Sequence, residues 1–363
     1  MKAVIVSSSY SYLDRVKLVQ EFYWQQGYET TVLLTDFIHA SKSYVQKSEK
    51  DYIFIKTKSY KKNISVQRLY SHHKFAKDVA AQLDKMQIDL LHMMLPANSL
   101  AKVGRRYKEK HPDTKLFFDI NDLWPETMPI ERLKNTFPFK KWKNLRDQNL
   151  GNADRVYCEC DLFKKVMKKE EDERFRTLYW VKGDKPLVSK PMLSEDELHL
   201  CYLGSINNVI DIDYIVEMCQ KLGEHKKVVL HVVGDGERRE ELLQKLKRAE
   251  VDVHYHGLIY GQEEKQKLFD QCHFGLNIMK PSVCVGLTMK SLDYFQGGIP
   301  IINNIQGDTY EMVENNHIGY NGYSKLLNDI TELGNDDYLQ MRKCVRELYQ
   351  RQFTKEAFFD GMK

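Results

Sequence analysis

Short apolar runs alternate with stretches of helical spacing along most of the chain. Lys2–Val6 is an apolar run followed by a polar turn, Ser7–Tyr12, and a helical pattern then continues to Gln25, where Gly27 marks its end. Glu29–Leu34 predicts the next strand. Residues 66–86 predict a long helix with Val79, Leu83 and Met86 at helical spacing. Ile88–Met94 predicts a strand, 98–110 a helix, and Lys115–Asp119 a strand that ends in acidic residues. The rhythm is that of a parallel sheet with helices on both faces.

The same rhythm restarts after residues 182–197, a Lys-, Pro-, Ser- and Gly-containing stretch that suits an interdomain linker. Strands are expected at Leu198–Leu203, Lys227–Val233, Val251–His256, Gly275–Ile278 and Ile299–Asn303. The intervening helices fall near 211–222, up to Arg248, at 262–271 and at 289–296. The pattern predicts two α/β units, 1–185 and 195–339, with a cleft between them and a ligand at the carboxyl ends of the strands. The stretch Tyr338–Phe359 is also helical.

Composition narrows the picture. The chain has 363 residues, 42% of them hydrophobic and 29% charged, which fits two globular cores and not a membrane-spanning chain. No apolar run approaches the roughly 20 residues of a spanning helix. The N-terminus reads as a strand and lacks the apolar core of a signal peptide. Seven cysteines are scattered without a Cys-x-x-Cys pair, so neither a zinc site nor a disulfide framework is expected, and a cytoplasmic location follows. The net charge of +4 is too small to argue for nucleic acid. Residues 131–146 interleave basic side chains with Phe137, Phe139 and Trp142. That run suits either an anionic membrane surface or a solvated helix with its aromatic residues packed inward.

Candidate chemistry lies mainly in the second half. Gly204, Gly234, Gly236 and Gly257 each follow an apolar strand, where glycine admits a ligand or another backbone. In the segment Pro281–Pro300, Thr288 supplies an N-cap and Met289 begins a helix whose free N–H groups suit a diphosphate. Lys290 adds a charge in the first turn. Asp293, three residues on and on the same face, can accept hydrogen bonds from ribose hydroxyls. Asp211-Ile212-Asp213 reads as a helix cap and not a metal site. Asp119 and Asp122 follow a first-half strand and face the expected cleft; Asp122 either orients an acceptor or caps a helix. His92 reads as a structural hydrogen bonder, Trp124 as core or cleft wall, and His72-His73 as solvated.

The segment 285–300 resembles the donor-binding motif of retaining GT-B glycosyltransferases of glycosyltransferase family 4. Asp293 matches the second acid of the family pair, Gly298-Ile299-Pro300 its Gly-x-Pro, and Lys290 the sub-group that makes capsular and O-antigen polysaccharides. Cys201–Ser205, Val232–Arg238 and Tyr255–Gly257 resemble its strand ends. Asp119–Glu126 resembles an Asp-Leu-Trp-Pro-Glu stretch of its N-terminal domain. The resemblance implies a GT-B fold of two Rossmann-like doubly wound domains, with the C-terminal helix, 340–363, crossing back onto the first. It also implies transfer of a sugar from a UDP-sugar to a glycan or lipid-linked acceptor hydroxyl, with retention, in cell-surface polysaccharide synthesis. No metal or cofactor is expected. Lys290, Thr288 and Met289 would stabilise the leaving diphosphate, Asp293 would bind ribose, and Gly204, Ser205 and Asn207 would approach the phosphates with Gly234, Gly236 and Gly257 nearby. Lys280 would supply a second cation and Asp122 would position the acceptor. The acceptor side could lie peripherally at the inner membrane face.

Two departures stand against that pattern. Val285 occupies the place of the first acid, and the loop Ser205-Ile206-Asn207-Asn208 lacks the family's Arg–Lys pair, with no basic residue before Lys221. These departures keep an inactive GT-B partner subunit in play as the alternative. A sugar-nucleotide 2-epimerase is a further rival, since such enzymes share the architecture but lack the acceptor side.

Overall fold

The structure is a computed structural model that describes residues 1–46, 50–61, 65–128 and 136–363. Residues 131–135 of the basic aromatic run lie outside the described residues. The chain divides into two compact units, residues 1–180 with 359–363, and residues 181–358.

The first unit contains β1 (Lys2–Ser7), β2 (Glu29–Thr35), a short hairpin of β3 (Phe37–Ile38) and β4 (Ser43–Tyr44), β5 (Tyr52–Ile55), β6 (Leu90–Leu95), β7 (Lys115–Ile120), β8 (Arg155–Cys158) and β9 (Phe175–Thr177). Its helices are α1 (Leu13–Gln25), α2 (Val66–Leu83), α3 (Ser99–Lys110), α4 (Phe137–Asp147) and α5 (Asp161–Met167). Seven strands form one sheet in the order β5-β2-β1-β6-β7-β8-β9, with every pairing parallel. Strands buried on both faces read as continuous apolar runs, and β6 (Leu-Leu-His-Met-Met-Leu) is buried along its whole length. On one side Val4, Val6, Leu91, Met93 and Phe118 pack with Phe75 and Val79 of α2 and Leu100 of α3.

On the other side a buried charge sits among aromatic rings. Arg15 of α1 forks onto Asp119, with Nε and Nη2 at 2.8 and 2.9 Å, and Nη2 also reaches the Leu178 carbonyl at 2.9 Å. Burial alone would raise the Asp119 carboxyl, but Arg15 and His92 hold it below the usual carboxylate range. Asp119 is fully buried, so it faces α1 and not the strand-end surface expected from sequence. Tyr23 Oη meets His92 Nδ1 at 2.8 Å, which fits the structural reading of His92. His72 is not solvated. It lies stacked at 6.0 Å on Trp124, and burial lowers its imidazole to about 3.

The second unit contains β10 (Glu197–Leu203), β11 (Lys227–Val233), β12 (Asp252–Gly257), β13 (Phe274–Asn277), β14 (Ile301–Asn303) and β15 (Gly319–Asn321). Its helices are α6 (Ile212–Gly223), α7 (Arg239–Arg248), α8 (Gln262–Gln271), α9 (Met289–Gly297), α10 (Asp308–Asn316), α11 (Tyr323–Asp329) and α12 (Asn335–Gln352). A last helix, α13 (Lys355–Met362), runs across the division between units. The sheet order is β12-β11-β10-β13-β14-β15, again all parallel. In both sheets the order reverses beside the first strand, between β1 and β6 and between β10 and β13. Such switch points are where open α/β sheets hold ligands. No helix among the described residues is long and apolar enough to cross a membrane.

Two expectations about boundaries change. The C-terminal stretch from 340 is divided between the two units. Helix α12 belongs to the second, where Arg342 is buried with its guanidinium on the Phe269 and Cys272 carbonyls and on Asp270, and only residues 359–363 group with the first. Residues 182–197 are not a free linker either. Ser189 Oγ and Lys190 N–H both donate to Asp270, at 2.7 and 2.9 Å, and Leu187 N–H donates to the Gln296 carbonyl at 2.8 Å. Polar residues in this stretch serve as anchors, and composition alone cannot tell an anchor from a spacer.

Three histidines form a ring chain across β10, β11 and β12. His199 Nδ1 lies 2.9 Å from His231 Nε2, and His231 Nδ1 lies 3.0 Å from His256 Nε2. His254 meets His231 edge-on at 5.1 Å, and His273 accepts the His199 N–H. Burial, reinforced by the neighbouring imidazoles, lowers His231 to about 3; burial lowers His273 to about 4. Both folded values lie below the ordinary 6.5, so the unfolded chain takes up protons first. This contribution to stability is complete above about pH 6.5 and is lost as the pH falls toward the folded values. Urea unfolding at about pH 7.5 and pH 5 should show a loss at the lower pH on the order of 1–2 kcal/mol per ring. His231→Gln, which keeps hydrogen-bonding capacity without titrating, should flatten that dependence. An unchanged pH slope in His231→Gln would reject the assignment.

Candidate functional site

The carboxyl ends of β10 and β13 flank the switch point of the second unit, and helix α9 starts beside them. Thr288 starts the helix by accepting the Ser291 N–H at 3.1 Å. Gly298 stops it in the left-handed region at φ 68°, just before Pro300. The cap is itself held. Thr288 Oγ1 donates to Asn277 Oδ1 at 2.9 Å, Asn277 Nδ2 to Asn303 Oδ1 at 2.9 Å, and Asn303 Nδ2 to Asn321 Oδ1 at 2.7 Å. These three asparagines are register partners at the ends of β13, β14 and β15. Sequence reasoning missed this row, although each asparagine directly follows a short apolar or aromatic run.

Tyr294 clamps the helix from its other side. Its hydroxyl donates to the Cys201 carbonyl at 2.9 Å and accepts the Leu203 N–H at 2.8 Å. Gly275 makes room for the ring, since a Cβ there would lie 2.6 Å from it.

Lys290 is buried in the first turn of α9, its Nζ 5.0 Å from the centre of the Tyr202 ring. No carboxylate pairs with it among the described residues. Burial lowers its ammonium from the usual range to about 7. A buried amine without a counter-ion, at a helix start, is stabilised by an arriving anion. Asp293 lies on the same face, but its carboxylate is already engaged: Lys265 Nζ of α8 is 2.8 Å from Oδ1 and Lys182 Nζ is 3.3 Å from Oδ2. Neither lysine was singled out from sequence, because each reaches Asp293 only through tertiary packing. A carboxylate offers about four acceptor positions, so the pair leaves capacity for hydroxyl groups.

The loop after β10 completes the site. Tyr202 Oη donates to the Ser205 carbonyl at 2.9 Å, and Asn207 Oδ1 accepts the Val209 N–H at 3.0 Å. Lys280 follows β13, and its N–H donates to the Val209 carbonyl at 2.9 Å, joining the two loops. Gly234 and Gly236 serve backbone packing: a Cβ on Gly234 would lie 2.0 Å from the Gly204 carbonyl oxygen, and one on Gly236 2.3 Å from that of Ile206. Gly257 accepts the Gly234 N–H at 2.7 Å. A Cβ on Gly204 would meet nothing within 4 Å, so its side of the loop is open. Lys290, Lys280, Thr288, Met289, Asp293, Gly204, Ser205 and Asn207 therefore gather at one switch point. Asp211, outside it, caps α6 by accepting the Tyr214 N–H at 3.1 Å.

Asp122 belongs to the first unit, past the end of β7. Tyr12 Oη donates to it at 2.5 Å, and burial raises its carboxyl. Glu159, after β8, is raised well above the usual range by burial and by Asp122. Arg68 lies 4.1 Å over the Trp124 ring. Trp124 is thus a buried platform, and Glu159 and Arg68 join Asp122 in a cluster that sequence reading did not assemble.

Residues 197–335 match the sequence family described as glycosyl transferases group 1. No curated protein sequence is significantly similar to the chain. The lipopolysaccharide outer core galactosyltransferase WaaB, in its apo form, superposes over 100% of this chain and 98% of its own, with a TM-score of 0.70 at 12% identity. Sucrose-phosphate synthase from Thermosynechococcus elongatus gives 0.69 at 13% identity, over 100% and 97% of the two chains. Anabaena Alr3699/HepE, solved with UDP and glucose, gives 0.65 at 11% identity over 100% and 98%. The fold is GT-B. The family match within a GT-B chain supports a glycosyltransferase, and it covers most of the unit that holds the switch-point site.

Within this GT-B second unit the glycines should not be equivalent. Gly234→Ala meets both a φ of 137° and a backbone collision, whereas Gly204→Ala meets only the strain of φ 122°. Gly204→Ala should cost about 1–3 kcal/mol and Gly234→Ala clearly more. Urea unfolding of both variants checks this, and equal losses would refute the backbone-packing role of Gly234.

Proposed function

We propose that the chain transfers a sugar from a UDP-sugar to a hydroxyl of a glycan or lipid-linked acceptor, with retention at the anomeric carbon, in building a cell-surface polysaccharide. The observation that carries this reading is Lys290, buried in the first turn of α9 with no counter-ion among the described residues and one turn from Asp293. A nucleoside diphosphate supplies the missing anion and the hydroxyls together. Anabaena HepE solved with UDP-glucose and TarM solved with UDP are similar in fold and support the choice of nucleotide. WaaB, a galactosyltransferase of the lipopolysaccharide outer core, supports the surface-glycan setting.

In this reading the departing diphosphate builds negative charge that Lys290, Lys280 and the N–H groups after Thr288 and Met289 stabilise. In this reading they take over the role of the family's Arg–Lys pair, which the loop after β10 lacks, and no metal ion is called for. Gly204 and Ser205 let the backbone near the phosphates, and Asp293 holds the ribose while Lys265 orients the carboxylate. Asp122, kept with its Tyr12 partner, positions the acceptor hydroxyl. The work would be done in the cytoplasm, against the inner membrane face where the acceptor is lipid-linked.

Calorimetric titration tests the donor site. UDP should bind, and Asp293→Ala should abolish measurable binding. Lys290→Met should weaken binding about ten- to a hundredfold, the size of one charge-assisted hydrogen bond. Because Lys290 titrates near 7 in the free protein, a bound diphosphate raises its pKa and draws in a proton above that pH. The affinity gap between wild type and Lys290→Met should therefore be widest below about pH 7 and narrow as the pH rises. Absence of binding by UDP and GDP alike would overturn the transferase reading in favour of a non-catalytic partner subunit.

A further inference from the structure

The first unit presents a surface that donor chemistry leaves unused. Helices α2, α3 and α4 lie side by side, and between them runs a groove of about 980 Å³, continuous at Lys102, Lys141 and Leu145 with a second of about 670 Å³. Its floor is apolar, built from Ala76, Ala80, Leu83 and Val103. Its rim is cationic. Lys77, Lys102, Arg106 and Lys141 are all exposed, and none of the four has a carboxylate partner among the described residues. The contrast with their neighbours is sharp: Lys110 is paired with Asp84 at 2.8 Å and Arg105 with Glu109 at 2.9 Å.

Large apolar side chains stand on the same helices. Val66 and Phe137 are 81% and 77% exposed, and Leu69 and Tyr70 are also exposed. Along α2 the positions 66, 70, 73, 77 and 80 recur at helical spacing, so Val66, Tyr70 and Lys77 share one stripe with the groove-lining His73 and Ala80. Exposed apolar residues beside unpaired cations are the composition of a surface that sits at a charged water–lipid boundary.

We propose that the α2–α3–α4 face docks on an anionic phospholipid bilayer. The four rim cations meet headgroup phosphates, Val66, Leu69, Tyr70 and Phe137 enter the acyl boundary, and the apolar groove receives part of a lipid tail. Charge complementarity selects the occupant: a neutral bilayer leaves the four cations unmatched, and a soluble polyanion leaves the apolar residues in water. The inference deepens the lipid-linked part of the proposed function but does not depend on the donor site.

The test is co-sedimentation of the full-length, nucleotide-free protein with phosphatidylcholine vesicles and with phosphatidylcholine–phosphatidylglycerol vesicles. Binding is expected only to the second kind, and it should fall with added salt. Lys102→Glu/Arg106→Glu should weaken it on the order of thirtyfold or more, since each basic residue near such a surface contributes a several-fold factor. Tyr70→Ser/Phe137→Ser should weaken it on the order of tenfold while leaving the salt dependence in place. Both pairs of substitutions are at exposed positions, and unchanged thermal unfolding confirms that the variants are folded. No binding to the anionic vesicles, equal binding to both kinds, or insensitivity to the charge reversal would overturn the proposal. So would binding of soluble polyphosphate with no binding to vesicles. A UDP titration on the same sample reports on the donor site separately, so either reading can fail alone.

Discussion

The second unit depends on how α9 is held against the sheet. Two side chains do this from opposite sides: Thr288, whose hydroxyl is the last link in a row of asparagines, and Tyr294, whose hydroxyl satisfies the backbone at the end of β10. A buried N–H left without a partner costs about 1–3 kcal/mol, so Tyr294 is fixed by the backbone it serves. The helix start cannot drift from the switch point while both hold. The buried amine of Lys290 is kept from water by the same packing, with the Tyr202 ring beneath it.

The two units share strand order but treat charge in opposite ways. In the first, Arg15 and Asp119 neutralise each other completely inside the sheet layer, with carbonyl groups taking the remaining donors. Such a pair is costly to desolvate and is tolerated because its hydrogen bonds are satisfied. In the second, Asp293 carries two lysines while Lys290, one turn away, has no carboxylate partner among the described residues. The first unit satisfies this buried pair within itself, and the second keeps a buried amine available to an arriving anion.

Much of this was legible in the sequence, for identifiable reasons. Strands such as Lys227–Val233 and helices such as Gln262–Gln271 have clear periodicity and fall where expected. The Thr288 cap and Asp211 cap were readable because capping is local chemistry. The short strands β8, β9 and β15 carry too few residues for a period to register. Asp119 and His72 were misplaced because the sequence does not show that Arg15 and Trp124 come to meet them. Lys182 and Lys265 were invisible for the same reason, being 111 and 28 positions from their partner (293 − 182 and 293 − 265).

The anchoring of residues 187–192 bears on how the chain could be divided. Asp270 accepts from Ser189 and Lys190 at the start of the second unit and from Arg342 near its end, and Arg342 also reaches Ser189 at 3.1 Å. One carboxylate thus staples the entry and exit of this segment to a common point. Neighbouring termini are the mark of a segment that can be excised, inserted or rejoined in new order without unravelling. The second unit is in that sense portable: a piece cut at its natural edges carries its own fastening with it.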